Sequence, residues 1–353
     1  MEKSKVLAGK RILVTGGTGS LGKAVVRRIL SAELGRPESV TVFSRDEAKQ
    51  HFMRLEFLES PNATDEIIYT SARDTLRFAL GDVRDFDSLI KAARGSDIVI
   101  NAAALKQVPS SEYFPMEAVK TNILGAENIV RAAHDSDTAI EMVVGISTDK
   151  ACKPVNVMGM TKALQERIFI EANREGRVRF NCVRYGNVIA SRGSIIPLFI
   201  ERIRAGKPIA ITLESMTRFL LPLERAVDTV FETLSSDDRG VTLVPKITSA
   251  KIIDVAKALM TDGDVGIEIT GIRPGEKIHE IMISEEESPR TESREGYYAI
   301  QPVLPELRKP DFIQGIEGEY SSKDDNISVG DIRGLLASAD SEIQRFLGAG
   351  GQS

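Results

Sequence analysis

Cysteine is scarce in this chain: Cys152 and Cys182 are the only two among 353 residues. Two cysteines without metal-ligand spacing build neither a disulfide framework nor a thiolate metal site, so no metal is expected and a reducing compartment fits best. Long apolar runs are missing as well, and none approaches the roughly 18 residues of a membrane span. The first ten residues, M-E-K-S-K-V-L-A-G-K, lack the apolar core of a signal peptide. A soluble, cytoplasmic protein without membrane contact is the expectation. Positive charge is not in excess either, since 46 Lys and Arg face 51 Asp and Glu for a net charge of −5 and a pI near 5.6. A surface that tracks a phosphate backbone is usually strongly basic, so nucleic acid is not an expected partner. Local basic sites for a small anion are compatible with this balance.

What is present is a globular composition, 42% hydrophobic, in a length that suits one large domain or a domain with a smaller companion. Apolar runs alternate with helical patterns from residue 11 to 190. R-I-L-V-T (11–15) reads as a strand, and G-G-T-G-S-L-G (16–22) opens a helix. Glycines at 16, 19 and 22 permit a tight turn, close approach of backbone N–H groups to a pyrophosphate, and close helix–strand packing. A Gly-rich turn between strand and helix at the start of a chain predicts a dinucleotide site formed by Gly16, Thr18, Gly19, Ser20, Leu21 and Gly22.

The second strand, Val40–Phe43, ends in Ser44-Arg45-Asp46. An arginine there accommodates the 2′-phosphate of NADP, whereas a carboxylate at the strand tip would take the ribose hydroxyl of NAD. Arg45 favours NADP, with NAD as the alternative. Residues 60–75 are polar and turn-forming and read as an exposed insertion. A third strand (76–80) leads to Gly81-Asp82-Val83, where Asp82 either bonds an adenine amino group or caps the helix beginning near Asp85. A fourth (98–100) ends in N-A-A-A-L-K, and the small Ala102, Ala103 and Ala104 let backbone lie beside a nicotinamide ribose, with Lys106 just beyond. Asn122, inside the helical stretch 112–133, is expected to tie strands together.

The stretch from Glu141 to Lys162 organises the rest. Met142–Ile146 is nearly all apolar, as a strand buried on both faces of a parallel sheet requires. Ser147, Thr148, Asp149 and Lys150 follow at its C-terminal end, the edge at which open α/β sheets bind ligands. After Pro154 a helix begins, and Met158 and Lys162, four apart, share one of its faces. Strands alternating with helices specify a doubly wound parallel sheet, an α/β Rossmann fold with right-handed crossovers. The rhythm changes after Tyr185, and turn-rich segments carry Arg218 and Arg273. The predicted division is a dinucleotide-binding domain at 1–190, a smaller domain at 191–290 whose arginines grip a diphosphate, and a less ordered C-terminal extension at 291–353. Acidic runs such as Glu285–Glu287 are read with that less ordered extension.

T-G-G-T-G-S-L-G, F-S-R-D-E, N-A-A-A-L-K-Q-V-P, S-T-D-K, N-V-M-G-M-T-K, R-Y-G-N-V, S-R-G-S-I-I-P, M-T-R-F and T-G-I-R-P-G-E-K-I-H-E occur in order over residues 11–305. In these the chain resembles the extended short-chain dehydrogenase/reductases, and within them the UDP-N-acetylglucosamine 4,6-dehydratases of polysaccharide biosynthesis. The resemblance implies a redox-neutral lyase reaction. Hydride leaves C4 of the sugar for NADP, the C5 proton and the C6 hydroxyl are lost, and hydride returns to C6. It further implies that Asp149 protonates the departing hydroxyl, Lys150 removes the C5 proton, Thr148 bonds the C4 hydroxyl, and Lys162 holds the nicotinamide ribose. Val83 would lie along the cofactor. Lys106, Asn187, Ser194, Arg218, Arg273 and Glu276 would meet the nucleotide sugar, and a homo-oligomer is expected. Burial would raise the pKa of an acid such as Asp149 and lower that of a base such as Lys150.

The chain departs from the family at Met158, where the superfamily has a tyrosine whose phenolate takes the C4 proton. A thioether does not accept that proton. The C4 base is then Asp149, Lys150 or a water held by Lys162. A second departure is T-L-E-S-M-T-R-F, so Glu214 and Ser215 receive no role. The alternatives to a UDP-N-acetylglucosamine dehydratase are an enzyme for the GDP-linked sugar, a UDP-sugar 4-epimerase, and an NADP-binding pseudoenzyme. Retention of Asp149, Lys150 and Lys162 speaks against the last two.

Overall fold

A computed structural model describes residues 5–59, 74–189, 195–260, 265–339 and 343–344. Nearly all of the expected insertion, residues 60–73, lies outside them, as does Ser194. The apolar runs become β1 (Arg11–Thr15), β2 (Ser39–Ser44), β3 (Leu76–Leu80), β4 (Ile98–Asn101), β5 (Met142–Ile146) and β6 (Arg179–Val183). These lie parallel in the order β3-β2-β1-β4-β5-β6. The order reverses between β1 and β4, which opens a crevice beyond the C-terminal strand ends.

Burial on both faces explains why these strands read as continuous apolar runs. Val14, Ile100 and Val144 pack into one core with Val25, Val26 and Ile29 of the helix Ser20–Leu30. Their neighbours Leu13, Val99 and Val143 enter the opposite core with Ile129 and Phe169. Successive side chains of one strand thus feed different layers.

The second half of the chain adds β7 (Asn187–Val188), β8 (Ile209–Ile211), β9 (Thr217–Leu221), β10 (Thr242–Pro245) and β11 (Ser249–Lys251). β12 (Ile267–Ile269), β13 (Ile281–Ile283), β14 (Thr291–Arg294), β15 (Tyr297–Ile300) and β16 (Tyr320–Ser321) follow. Small sheets β11-β9-β7, β12-β8 and β13-β16 form the roof of the crevice side. The remaining strands go elsewhere: β10 pairs with β6, β15 with β10 and β14 with β15, making a nine-stranded sheet. Residues from the segments 191–290 and 291–353 therefore complete the first layer, because the bare edge of β6 would otherwise present unpaired backbone groups.

The acidic run is ordered, with Glu285 and Glu286 exposed and Glu287 turned inward. Glu287 is buried and pairs with Arg184, which is itself buried and also binds Glu166. Ser147 donates to Glu166 at 2.5 Å. This closed network ties the end of β6, the helix Val157–Glu171 and the turn after β13 together. Further along, the helix Val329–Ser338 buries Ile332 and Leu336 against Val255 and Leu220. No described helix is long and apolar enough to cross a membrane.

Candidate active site

The strand ends open onto a cleft of about 1910 Å³. One end is built by the first turn. Gly16 adopts φ 65°, a left-handed conformation, and an added Cβ would lie 2.6 Å from the Ala103 nitrogen. Only glycine fits there, so the loops after β1 and β4 meet backbone to backbone. Gly19 begins the helix Ser20–Leu30 with no side-chain cap, leaving first-turn N–H groups for an anionic ligand. Gly16, Thr18, Gly19, Ser20, Leu21 and Gly22 all line the cleft, as do Ala102, Ala103, Ala104 and Lys106. The uncapped turn and the glycine cradle fit a dinucleotide pyrophosphate.

Ser44, Arg45, Asp82 and Val83 line the same end. Arg45 is exposed, with its guanidinium 3.8 Å from Asp82. Asp82 does not cap the following helix, because Asp85 does so by accepting from the Asp87 N–H. Asp82 instead accepts from Arg84 at 2.9 Å and 3.0 Å. Burial pushes its carboxyl up, but these bonds and the nearby arginine charges hold it below the ordinary range. Asn122 joins a loop to a helix rather than strands to each other: it pairs with both backbone groups of Leu105 and donates to Thr161 Oγ1 at 2.9 Å.

The centre follows β5. Thr148 Oγ1 donates to Asp149 Oδ1 at 2.7 Å, and the Asp149 N–H donates to the Tyr185 carbonyl. Asp149 is fully buried, and its Oδ2 has no hydrogen-bond partner among the described residues. The Lys150 ammonium donates to Asp149 Oδ1 at 3.1 Å and reaches Asn187 Oδ1 at 3.4 Å. On its other side stands Glu280 Oε1, also at 3.1 Å. Glu280 is buried, and Arg218 Nε lies 3.8 Å from the same oxygen.

This arrangement sorts the protons. Burial raises the pKa of Asp149, and the charge of Glu280 adds to it, outweighing Lys150. Burial thus favours the protonated form of Asp149 more than in an exposed aspartate. Glu280 is lowered despite its burial, because Lys150, Arg218 and Lys277 surround it. Lys150 is the correction. Burial alone would lower it as expected for a base, but Asp149 and Glu280 together raise it. It is an ammonium between two buried carboxyl groups.

Met158 and Lys162 share a helix face toward the cleft. Lys162 Nζ donates to the Ile146 carbonyl at 2.5 Å and to Gln165 Oε1 at 2.7 Å, and burial lowers its pKa to about 8. A Cβ on Gly159 would lie 2.2 Å from the Lys150 carbonyl oxygen, so the helix backbone rests directly on the loop after β5. Asn187, Arg218, Arg273 and Glu276 also line the cleft. Arg218 is buried and anchored on the Thr217 and Ile278 carbonyls, whereas Arg273 is exposed. Glu276 accepts from Thr212 at 3.4 Å.

Sequence reasoning missed Glu280, Lys277 and Gln165. Lys277 lines the cleft and donates to the Cys152 carbonyl. The available signal was K-I-H-E-I-M-I, a carboxylate directly before an apolar strand. Among the described residues no His, Cys, Asp and Glu group of three or more is placed to hold a metal ion.

Residues 12–302 match the family model described as "Polysaccharide biosynthesis protein". The UDP-N-acetylglucosamine 4,6-dehydratase (inverting) of Campylobacter jejuni subsp. jejuni serotype O:2 is 42% identical over 319 residues, 89% of this chain and 90% of that protein. The UDP-glucose 4-epimerase of Rickettsia akari is 42% identical over 297 residues, 82% of either chain. Pen from Bacillus thuringiensis, a solved structure, superposes with a TM-score of 0.83 at 31% identity, over 95% of this chain and 98% of that one.

Proposed function

The chain belongs to the polysaccharide biosynthesis protein family, and from that premise we propose that it is a nucleotide-sugar 4,6-dehydratase converting UDP-N-acetylglucosamine to a UDP-4-keto-6-deoxy-N-acetylhexosamine. The observation that carries this reading is the buried Asp149, its pKa raised by burial, beside Lys150 in the cleft that the glycine-rich turn also lines. Dehydration needs an acid at the C6 hydroxyl. A 4-epimerase needs only the redox step at C4.

When bound, a nicotinamide dinucleotide supplies reversible hydride acceptance. The chain's residues do the rest. Lys162 holds the ribose, Thr148 orients the C4 hydroxyl, Lys150 handles the C5 proton and Asp149 protonates O6. Met158 leaves the C4 proton to a group other than a phenolate, and Lys162, whose pKa near 8 leaves it partly neutral, supports a water-mediated route. Asn187 would meet the sugar, and Arg218 and Arg273 would contact the diphosphate. Arg45 supports NADP over NAD. Association with further copies of the chain is part of the reading, supported by exposed Phe114 and Met116 where two short helices meet.

The second reading, a UDP-sugar 4-epimerase, is favoured by the Rickettsia relatives named UDP-glucose 4-epimerase. Mass and NMR analysis of the product from UDP-N-acetylglucosamine separates the two. Loss of one water with a 4-keto group supports dehydration, and an isomer of unchanged mass would replace it with epimerisation. Failure with the UDP-linked and GDP-linked sugars alike would point to a pseudoenzyme.

A further inference from the structure

The Lys150 ammonium faces three oxygen acceptors, Asp149 Oδ1, Glu280 Oε1 and Asn187 Oδ1, at 3.1, 3.1 and 3.4 Å. Three N–H groups so engaged leave no lone pair for a proton at C5. One proton must leave before this amine acts as a base. Asn187 does not accept it as an amide. Asp149 is the acid that O6 requires, and burial favours its holding a proton for that step. Glu280 is the remaining acceptor. Its Oε2 is buried with no hydrogen-bond partner among the described residues, so the side chain has capacity that the static bonds do not use. Its backbone is fixed on both sides of Ser322, by a 2.9 Å bond to the hydroxyl and a 2.8 Å bond from the Ser322 N–H.

We propose that Glu280 is the positioning residue that takes the surplus proton from Lys150 and so makes that amine the base for C5. The inference rests on the dehydratase reading. In the step, an N–H bond of Lys150 breaks and an O–H bond forms on Glu280, turning an ion pair into two neutral groups. Entry of a neutral sugar ring, which displaces water from the pair, favours that neutralisation. The freed lone pair of Nζ then takes the C5 proton, and the C5–H electrons pass into the enolate ending on the C4 oxygen. Asp149 gives its proton to O6 as the C6–O bond breaks, and water leaves. The other charged groups facing Glu280 are Arg218, 3.8 Å away, and Lys277. Both are cations, so they hold the carboxylate in place between turnovers.

The test uses the full-length protein and the isolated 4-keto-6-deoxy product in D2O, which reports proton transfer at C5 without the dehydration step. The wild-type protein should wash deuterium into C5. Glu280→Gln keeps the shape but not the acceptor, and its exchange should fall about a hundredfold or more. Glu280→Asp keeps the charge at greater distance, and exchange should lie between the two. Thermal unfolding within a few degrees of wild type separates this loss from damage to the fold, and if the glutamine variant does not fold the aspartate variant decides. Wild-type exchange in a folded variant would overturn the role of Glu280. Absence of both dehydration and exchange in the wild-type protein would instead overturn the dehydratase reading.

Discussion

The Lys150 ammonium lies 3.1 Å from an oxygen of Asp149 and 3.1 Å from an oxygen of Glu280, so one cation separates two buried carboxyl groups. Their surroundings push the two acids in opposite directions: burial raises Asp149, and the cations around Glu280 lower it despite its burial. Pairs pushed apart in this way divide the work of acid and base.

Asp149→Asn keeps the side chain's shape and loses the transferable proton. Dehydration should fall by about 10² to 10⁴, while C5 exchange of the 4-keto product persists. Steady-state turnover and NMR exchange rates check the two halves separately. Equal loss of both would place Asp149 in the C5 step as well.

Lys162 is fully enclosed, and burial lowers its pKa from 10.5 to about 8. The unfolded chain therefore binds the proton more tightly, and the protein without cofactor should gain stability as pH rises from about 8 to 10.5. The size of the shift corresponds to roughly 3 kcal/mol, reduced by the bonds to Ile146 and Gln165. Lys162→Met should lose this pH dependence. Urea unfolding of both proteins at several pH values, compared as a difference, isolates the contribution.

Arg184 is buried between Glu166 and Glu287. Arg184→Met leaves two buried carboxylates without their cation and should cost about 3–5 kcal/mol. Glu287 is lifted by burial but held down to about 2, chiefly by Arg184. A lowered carboxylate stabilises the fold above its unfolded pKa, and this contribution should vanish as pH falls from about 4.5 to about 2. Denaturant unfolding across that range should show the acid loss in the wild type and much less of it in the variant.

Arg45→Ala should weaken NADP binding about tenfold or more, the scale of a charge-assisted bond to phosphate, and leave NAD binding nearly unchanged. Calorimetric titration with each dinucleotide measures the difference. An equal loss for both would move the phosphate discrimination away from Arg45.

The parts of the site that one short segment carries were legible in the sequence. Thr148, Asp149 and Lys150 end a doubly buried strand, and Met158 and Lys162 begin the next helix, so local periodicity alone brings them together. The first turn was legible for the same reason. Glu280 was not, because only the pairing of β13 with β16 and the roof strands carry it back onto Lys150. The protonation of Lys150 was misread in consequence: burial is visible in a pattern, but a carboxylate from a distant turn is not. Arg184 looks like any polar residue of a turn, and its burial depends on Glu287 arriving from the opposite side. The edge strands β10, β14 and β15 were obscured likewise, since long-range pairing leaves no period in the chain.

The most direct measurement is the fate of deuterium placed at C4 of UDP-N-acetylglucosamine. The account predicts a 4-keto-6-deoxy product, formed without net consumption of cofactor, in which that deuterium has moved to C6. Deuterium remaining at C4 of an epimerised sugar would contradict it in favour of the 4-epimerase, and label left in unreacted substrate would deny the chain any such chemistry.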